Sequence, residues 1–209
     1  MGRTARIVLP GVAHHCTQRG NKRQAVFFEE QDRRVFLALL RDKSREHGLR
    51  ILAYCLMTNH VHIVGVPARE ESLTRALGET HLKYTAYVKR TYDHDGHLWQ
   101  NRFYSCPMDE PHTLSALAYV ELNPVRAGME TVPWAYRWSS ARSHCEEGFA
   151  DGLLNLSRWR TQFGVEDWKG ILRAAVGDDV TEEKIRSHTQ RGRPLGSRAY
   201  FREKMTRRE

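Results

Sequence analysis

Leu49-Arg50-Ile51-Leu52-Ala53-Tyr54-Cys55-Leu56-Met57, Thr58-Asn59 and His60-Val61-His62-Ile63-Val64-Gly65-Val66 follow one another without a break. Both long runs are apolar and β-prone, and the Thr58-Asn59 corner between them is short, so they read as two adjacent strands of a hairpin. Upstream, residues 13–19 form a first strand, followed by the polar loop Gly20-Asn21-Lys22-Arg23-Gln24. Phe28, Val35, Phe36, Leu39 and Leu40 then fall on one helical stripe, closed by the glycine of His47-Gly48. Downstream of the hairpin, Leu73, Leu77, Thr80, Tyr84, Tyr87 and Val88 recur at helical steps and predict a long amphipathic helix. Residues 99–108 supply a fourth strand. Asp109-Glu110-Pro111 has the cap and early proline of a third helix, which runs through Leu114, Leu117, Ala118 and Leu122 and ends near Asn123-Pro124. The order β-α-β-β-α-β-α predicts an α+β protein with a ferredoxin-like (split βαβ) antiparallel sheet, its helices on one face and its other face free for a ligand.

Past Gly128 the pattern changes. Trp134 and Trp138 precede an acidic, glycine-containing stretch over residues 146–152, which divides a sheet domain at 1–147 from a small C-terminal helical region at 148–209. Four helices are expected there, over residues 156–163, 165–176, 181–188 and 197–207, with Gly192-Arg193-Pro194-Leu195-Gly196 separating the last two. Tryptophans 134, 138, 159 and 168 are the natural anchors between this region and the sheet.

The chain has 209 residues, 40% hydrophobic and 28% charged, without an apolar run approaching the ~18 residues of a membrane span. That composition excludes a membrane-embedded protein and a wholly disordered one. The few apolar residues after the basic amino terminus are too short for the core of a secretory signal, so a cytoplasmic, nucleoid-associated location is expected. A formal net charge of +8 favours a polyanionic partner such as nucleic acid. Cys16, Cys55, Cys106 and Cys145 are too widely spread for a zinc knuckle and read as reduced thiols.

Side chains two apart on a strand share a face, so His60 and His62 project together while Val61 and Ile63 point into the core. Two adjacent imidazoles can hold a divalent cation; histidines on a surface or satisfied in a core are the alternative reading. The surrounding strand is strongly apolar, and two polar rings on its face cost stability unless something satisfies them. Tyr119 and Asn123 lie one turn apart on the third helix, on a face turned away from its apolar stripe. Asn123 offers an amide oxygen to a cation and Tyr119 a hydroxyl beside it. An interfacial tyrosine and a helix-capping asparagine are the competing reading of that pair.

Several blocks, in order, carry a resemblance: Pro10-Gly11, Thr17-Gln18-Arg19-Gly20-Asn21, Ala53-Tyr54-Cys55-Leu56-Met57, Asn59-His60-Val61-His62, Leu98-Trp99-Gln100-Asn101-Arg102-Phe103, and the run from Tyr119 through Asn123-Pro124-Val125-Arg126 to Gly128. Over roughly residues 6–145 the chain resembles the HUH-class single-tyrosine transposases, and among them the REP-associated tyrosine transposases of bacteria. The resemblance implies that His60 and His62 are the paired histidines, with Val61 as the hydrophobic residue between them, that Tyr119 is the nucleophile, and that Asn123 stands where the family places its third metal-binding side chain. Relatives often carry glutamine there, one methylene longer. It further implies Mg2+ or Mn2+ as cofactor, single-stranded or hairpin DNA with palindromic repeats as partner, and cleavage through a 5′-phosphotyrosine intermediate. Both monomeric and dimeric relatives exist, so it leaves the oligomeric state open.

A tyrosine hydroxyl, with a reference pKa of ~10, is protonated at neutral pH and needs a polarised target, which suits a phosphate neutralised by a cation. Basic residues beside aromatic ones suit single-stranded DNA: Arg19, Asn21, Lys22, Arg23, Arg102 and Arg126 are the expected contacts, with Lys83, Lys89, Arg90, Tyr84, Phe103 and Tyr104 nearby in the chain. Arg191-Gly192-Arg193-Pro194 has two readings, an AT-hook-like arm or a helix-breaking linker. A repeat-binding protein that does not cut, and a phosphodiesterase that uses water, are the rival functions.

Overall fold

The computed structural model describes residues 6–206. The amino-terminal lead, residues 1–5, and Arg207, where the last helix is expected to end, lie outside the described residues. Strands β1 (Ala13–Arg19), β2 (Leu49–Leu56), β3 (His60–Pro67) and β4 (Tyr104–Met108) form an antiparallel sheet in the order β2-β3-β1-β4. Helices α1 (Glu30–His47) and α2 (Ser72–Tyr92) pack on one face, and α3 (Glu110–Arg126) follows β4. The chain is therefore α+β with the expected split βαβ order.

Alternation along β3 divides the core. Val61 and Ile63 join Phe36, Leu40, Leu77 and Tyr84 beneath α1 and α2, whereas Val64 belongs with Tyr119 and Leu122 of α3 on the opposite face. His60 and His62 share the parity of Val64, so the apolar alternation that builds the first layer also presents both imidazoles to α3.

The structure corrects the sequence reading at four places. Helix α1 begins at Glu30, and Phe28 stands outside it, because the Asp32 carboxylate accepts the backbone N–H groups of Phe28 at 2.7 Å and Glu29 at 2.9 Å. Strand β4 begins only at Tyr104; Trp99 makes an isolated bridge to Gly20 instead. Helix α3 continues through Pro124 to Arg126. Proline has no N–H to give the Val120 carbonyl, but Asn123 Nδ2 donates to that oxygen at 3.3 Å and to Tyr119 O at 2.8 Å, so the last turn survives. Finally, the second face of the sheet is not open: α3 covers its middle, and the C-terminal helices complete the layer.

Those helices are α4 (Ala141–Cys145), α5 (Leu156–Arg160), α6 (Val165–Ala174), α7 (Asp179–Arg191) and α8 (Arg198–Thr206). Trp168, Leu172 and Ile185 are fully buried in the cluster that contains Tyr119 and Cys106. A helix buried on nearly every side needs its polar groups satisfied internally, and Glu121 of α3 shows how. Its carboxylate, fully buried, accepts from Trp168 Nε1 at 2.8 Å and from the Ser140 hydroxyl, and pairs with His144 Nδ1 at 2.6 Å. Both outer strands are also protected. On β2, Leu56 N–H donates to Trp138 O and Ser140 N–H to Tyr54 O, each at 2.9 Å. On β4, Leu195 N–H donates to Pro107 O at 2.9 Å. Unpaired edges invite foreign strands, and these bonds close them. The Arg191-Gly192-Arg193-Pro194 segment is thereby an ordered helix end: Gly192, at φ 64°, caps α7 in the left-handed conformation that glycine tolerates best.

All four cysteines are free and buried. Among the described residues, no helix is long and apolar enough to cross a membrane.

Candidate active site

Four elements meet on the α3 face of the sheet. The register pairs Arg19 with His60 and Thr17 with His62 across β1 and β3, which places His15 diagonally beside His62. The rings of His60 and His62 are 4.9 Å apart between centroids and nearly perpendicular. Tyr119 of α3 stands edge-on to both His62, at 5.5 Å, and His15, at 5.6 Å. The structure thus brings His60, His62 and Tyr119 together, with Asn123 one turn along α3. His62 is 6% exposed and Tyr119 5%.

Burial first, then the neighbouring rings and Arg19, keeps His62 well below the ordinary imidazole value. Burial and Arg19 depress His60 to about 4. Both rings are neutral at physiological pH, the state in which imidazole binds a cation. Asn59 orients the first of them. Its amide nitrogen donates to Arg23 O at 3.0 Å, so its oxygen accepts from His60 Nδ1–H at 2.7 Å and leaves His60 Nε2 bare. The same logic applies to Asn123, whose Nδ2 is committed to the Tyr119 and Val120 carbonyls, leaving Oδ1 as its free acceptor. Neutral imidazoles and an amide oxygen are donor types that fit a divalent cation.

Sequence reasoning missed the other half of the site, which comes from α7. Glu182, Arg186 and Thr189 recur at helical spacing on one face and all point to the centre. The Arg126 guanidinium lies 4.9 Å over the Tyr119 ring, donates to Tyr119 O at 2.8 Å, and pairs through Nε with Glu182. Burial raises the Tyr119 hydroxyl above the ordinary phenol value, while the facing Arg186, charged and hydrogen-bonded to it, pulls the other way. Thr189 Oγ1 lies 2.7 Å from His15 Nδ1, and His15 Nε2 lies 3.0 Å from His62 Nδ1. The signal in the sequence was the polar stripe of α7 itself, which lacked a partner until the sheet was built.

The expected DNA contacts separate into groups. Arg19, Lys22 and Arg23 are exposed at the end of β1 and in the turn after it, with Asn21 N–H anchored to Leu98 O at 2.9 Å. Lys22 and Arg23 carry positive φ values of 50° and 63°, so this turn is held in an unusual backbone shape. Arg102 lines a cleft of about 1130 Å³ along β4, together with Arg6, Lys89, Arg191 and Arg193. Trp99 and Tyr104 also line it, and Thr189 joins its wall to the site. Arg126 is turned to Tyr119 and Glu182. Tyr84 is a core residue rather than a platform for bases, and Phe103, largely buried, lines the cleft beneath the Arg6 guanidinium.

Glu46, His47 and Glu79, between α1 and α2, form another cluster of metal-ligand type. Lys43 bonds both carboxylates, with its ammonium 3.0 Å from Glu79, so both are already engaged in an ion-pair group.

Residues 10–123 match the model of the family described as Transposase IS200 like. A REP-associated tyrosine transposase bound to a REP hairpin has a similar fold, with a TM-score of 0.60 and 16% identity over 73% of this chain and 90% of that one. A candidate transposase from Deinococcus radiodurans R1 is 18% identical, with a TM-score of 0.39, over 62% of this chain and 94% of its own. No curated protein matches the chain. The matched segment spans the sheet, both histidines, Tyr119 and Asn123, and the chain belongs to the IS200-like transposase family.

Proposed function

We propose that this transposase is a metal-dependent single-strand DNA endonuclease and strand transferase of the HUH type, acting at hairpin-forming palindromic repeats. The observation that carries the reading is the 5.5 Å approach of Tyr119 to His62, with His60 on the same face. Tyr119 is the nucleophile. Its hydroxyl gives up its proton to solvent as the oxygen bonds to the scissile phosphorus, the bond from phosphorus to the 3′ oxygen breaks, and the leaving oxygen takes up a proton from solvent as a 3′-hydroxyl. The product is a 5′-phosphotyrosine. One phosphodiester replaces another, so the 3′-hydroxyl of the same or another strand can reverse the step without a nucleotide cofactor.

His60 and His62 through Nε2, and Asn123 through Oδ1, would hold a Mg2+ or Mn2+ ion. Bound there, the ion supplies neutralisation of a non-bridging phosphate oxygen and of the charge that develops in the transition state. The protein's own contribution is orientation. Arg126 grips the Tyr119 carbonyl and covers its ring, Arg186 faces the hydroxyl, and the buried setting limits water as a competing nucleophile. Arg102, Lys89, Arg191 and Arg193 present a basic wall with Trp99 and Tyr104, suited to a folded DNA strand, and Arg19, Asn21, Lys22 and Arg23 offer a second contact region. Residues 148–209 thereby serve the domain at 1–147 in DNA binding as well as in packing. The solved relative's REP hairpin makes a hairpin with palindromic stem the substrate to try first.

Incubation with Mn2+ and a 5′-extended repeat hairpin should give a covalent protein–DNA adduct resistant to denaturation, and Tyr119→Phe should bind the hairpin without forming it. Adduct formation by Tyr119→Phe removes Tyr119 as nucleophile. Cleavage by the wild type without any adduct assigns the site to hydrolysis by water, and hairpin binding without cleavage assigns it to a binding protein.

A further inference from the structure

A third histidine is built into the site. His15, on β1, is buried, and both of its ring nitrogens are engaged, one by a helix at the far end of the chain and the other by His62. The direction of those bonds follows from their last member. Thr189 donates its hydroxyl proton to Ile185 O at 2.7 Å, within its own helix. Its oxygen is therefore an acceptor toward everything else, and it receives His15 Nδ1–H at 2.7 Å and the Cys106 thiol at 3.3 Å. With its proton on Nδ1, the His15 ring offers a bare Nε2. That lone pair accepts His62 Nδ1–H at 3.0 Å. The two rings lie within 9° of parallel with centroids 5.2 Å apart, an end-to-end arrangement in which the N–H points along the lone pair.

We infer that His15 is a positioning residue of the cation site: anchored by Thr189 of α7, it fixes His62 as the Nδ1–H tautomer and leaves His62 Nε2 bare toward the cation. The inference rests on the proposed role of His62 as a ligand and deepens it. His60 and His62 then obey one rule with different partners, an amide oxygen for the first and a histidine for the second, as outer partners of metal-bound imidazoles commonly do. It also gives the C-terminal region a part in the chemistry, because the relay starts on α7. Without Thr189 the His15 ring is free to turn or change tautomer, and His62 reverts toward the Nε2–H form that blocks its metal-binding nitrogen.

The test uses the full chain and two readouts. Long-range 1H–15N spectra of the metal-free protein report the tautomer of each imidazole, and electron paramagnetic resonance of free Mn2+ gives the affinity for the ion. In the wild type His62 should be the Nδ1–H tautomer. His15→Leu and Thr189→Val should move His62 toward Nε2–H and weaken Mn2+ binding by about 10–100-fold, the loss typical of removing an outer-sphere partner. Thr189→Ser, which keeps the hydroxyl, should restore both. Thr189→Val is nearly isosteric and reports even if His15→Leu does not fold. An Nε2–H tautomer at His62 in the wild type overturns the inference, as does an unchanged tautomer and Mn2+ affinity in Thr189→Val. Failure of the ligand reading itself looks different: the wild type then shows no saturable Mn2+ binding, while the imidazole spectra still reveal whether His15 sets the His62 tautomer.

Discussion

Tyr119 stands edge-on to His62 at 5.5 Å although one belongs to the helix after the last strand and the other to the middle of the sheet. Strand alternation alone puts His62 on the α3 side, and the capping of α3 by Asp109, whose carboxylate accepts His112 N–H at 3.2 Å, sets where that helix starts and so which of its residues reaches the sheet. Tyr119 and the two imidazoles of β3 are thus positioned by ordinary secondary-structure rules. His60→Ala and His62→Ala are expected to lower Mn2+ affinity and adduct formation together, the latter by at least about a hundredfold, whereas Tyr119→Phe keeps Mn2+ affinity. Chelation should silence the wild type, and added Mn2+ should restore it. Unchanged Mn2+ titrations in both histidine variants would show that the ion binds elsewhere.

Arg186 faces the Tyr119 hydroxyl and opposes the effect of burial on it. A neighbouring cation favours the phenolate, so removing it raises the Tyr119 pKa further. At fixed pH the deprotonated fraction falls in proportion. Arg186→Gln should therefore slow adduct formation near neutrality and displace its rise with pH toward alkaline values, with Arg186→Lys in between. Equal rate losses at every pH would assign Arg186 to DNA binding instead.

Glu121 joins α3 to α4 and α6 through His144, Ser140 and Trp168. Removing one partner of a fully buried ionic group leaves the rest unsatisfied, at a cost of about 3–5 kcal/mol. Glu121→Ala should lower the thermal midpoint sharply and release residues 148–209 to limited proteolysis before the sheet domain unfolds. Glu121→Gln, which retains an acceptor, should be milder. If both variants melt like the wild type, the hub does not hold the tail.

Most of the architecture was legible because it depends on local pattern. Val61 and Ile63 alternate with His60 and His62, and Leu73, Leu77 and Tyr84 keep helical spacing, so strand, helix and face follow from period alone. The misreadings share a different cause. Phe28 reads as part of α1 by its apolar character, but Asp32 captures its N–H and starts the helix later. Pro124 reads as a stop because its compensation, the Asn123 side chain on the Val120 carbonyl, is a side-chain choice with no periodic trace. The covered second face was invisible because α7 reaches it only after the long C-terminal excursion, and Arg186 and Thr189 carry no local sign of what they meet. Spacing marks His60, His62, Tyr119 and Asn123 as candidates and the family resemblance implies their roles; neither offers anything about His15, whose role depends on contact between β1 and α7.

Burial depresses His81 to about 3, in a pocket of Phe36, Trp99 and Phe103, and His14 to about 4. In the unfolded chain both titrate near 6.5, so between that value and the folded pKa the unfolded state binds more protons. Stability is complete above pH 6.5 and declines as the pH falls toward 4. Each ring should cost about 2 kcal/mol on going from pH 7 to pH 5. Thermal melts should show that loss in the wild type and a smaller one in His81→Leu. A midpoint that stays constant from pH 7 to pH 5 would mean that neither ring is held neutral by folding.

Arg102 and Arg193 line the same cleft from opposite sides of the sequence, one before β4 and one just after α7. A phosphate contact contributes affinity through released counterions, so each lost contact lowers the slope of log affinity against log salt by about one. Arg102→Ala and Arg193→Ala should each weaken hairpin binding at low salt and flatten that slope, and the double variant should lose about two. Lys22→Ala, in the turn after β1, is expected to do the same if DNA spans both regions. The discriminating measurement is a salt titration of each variant on one hairpin: a weakened affinity with an unchanged slope would place these side chains in packing or base contact, and an unchanged affinity in all three would move the DNA to another face of the sheet.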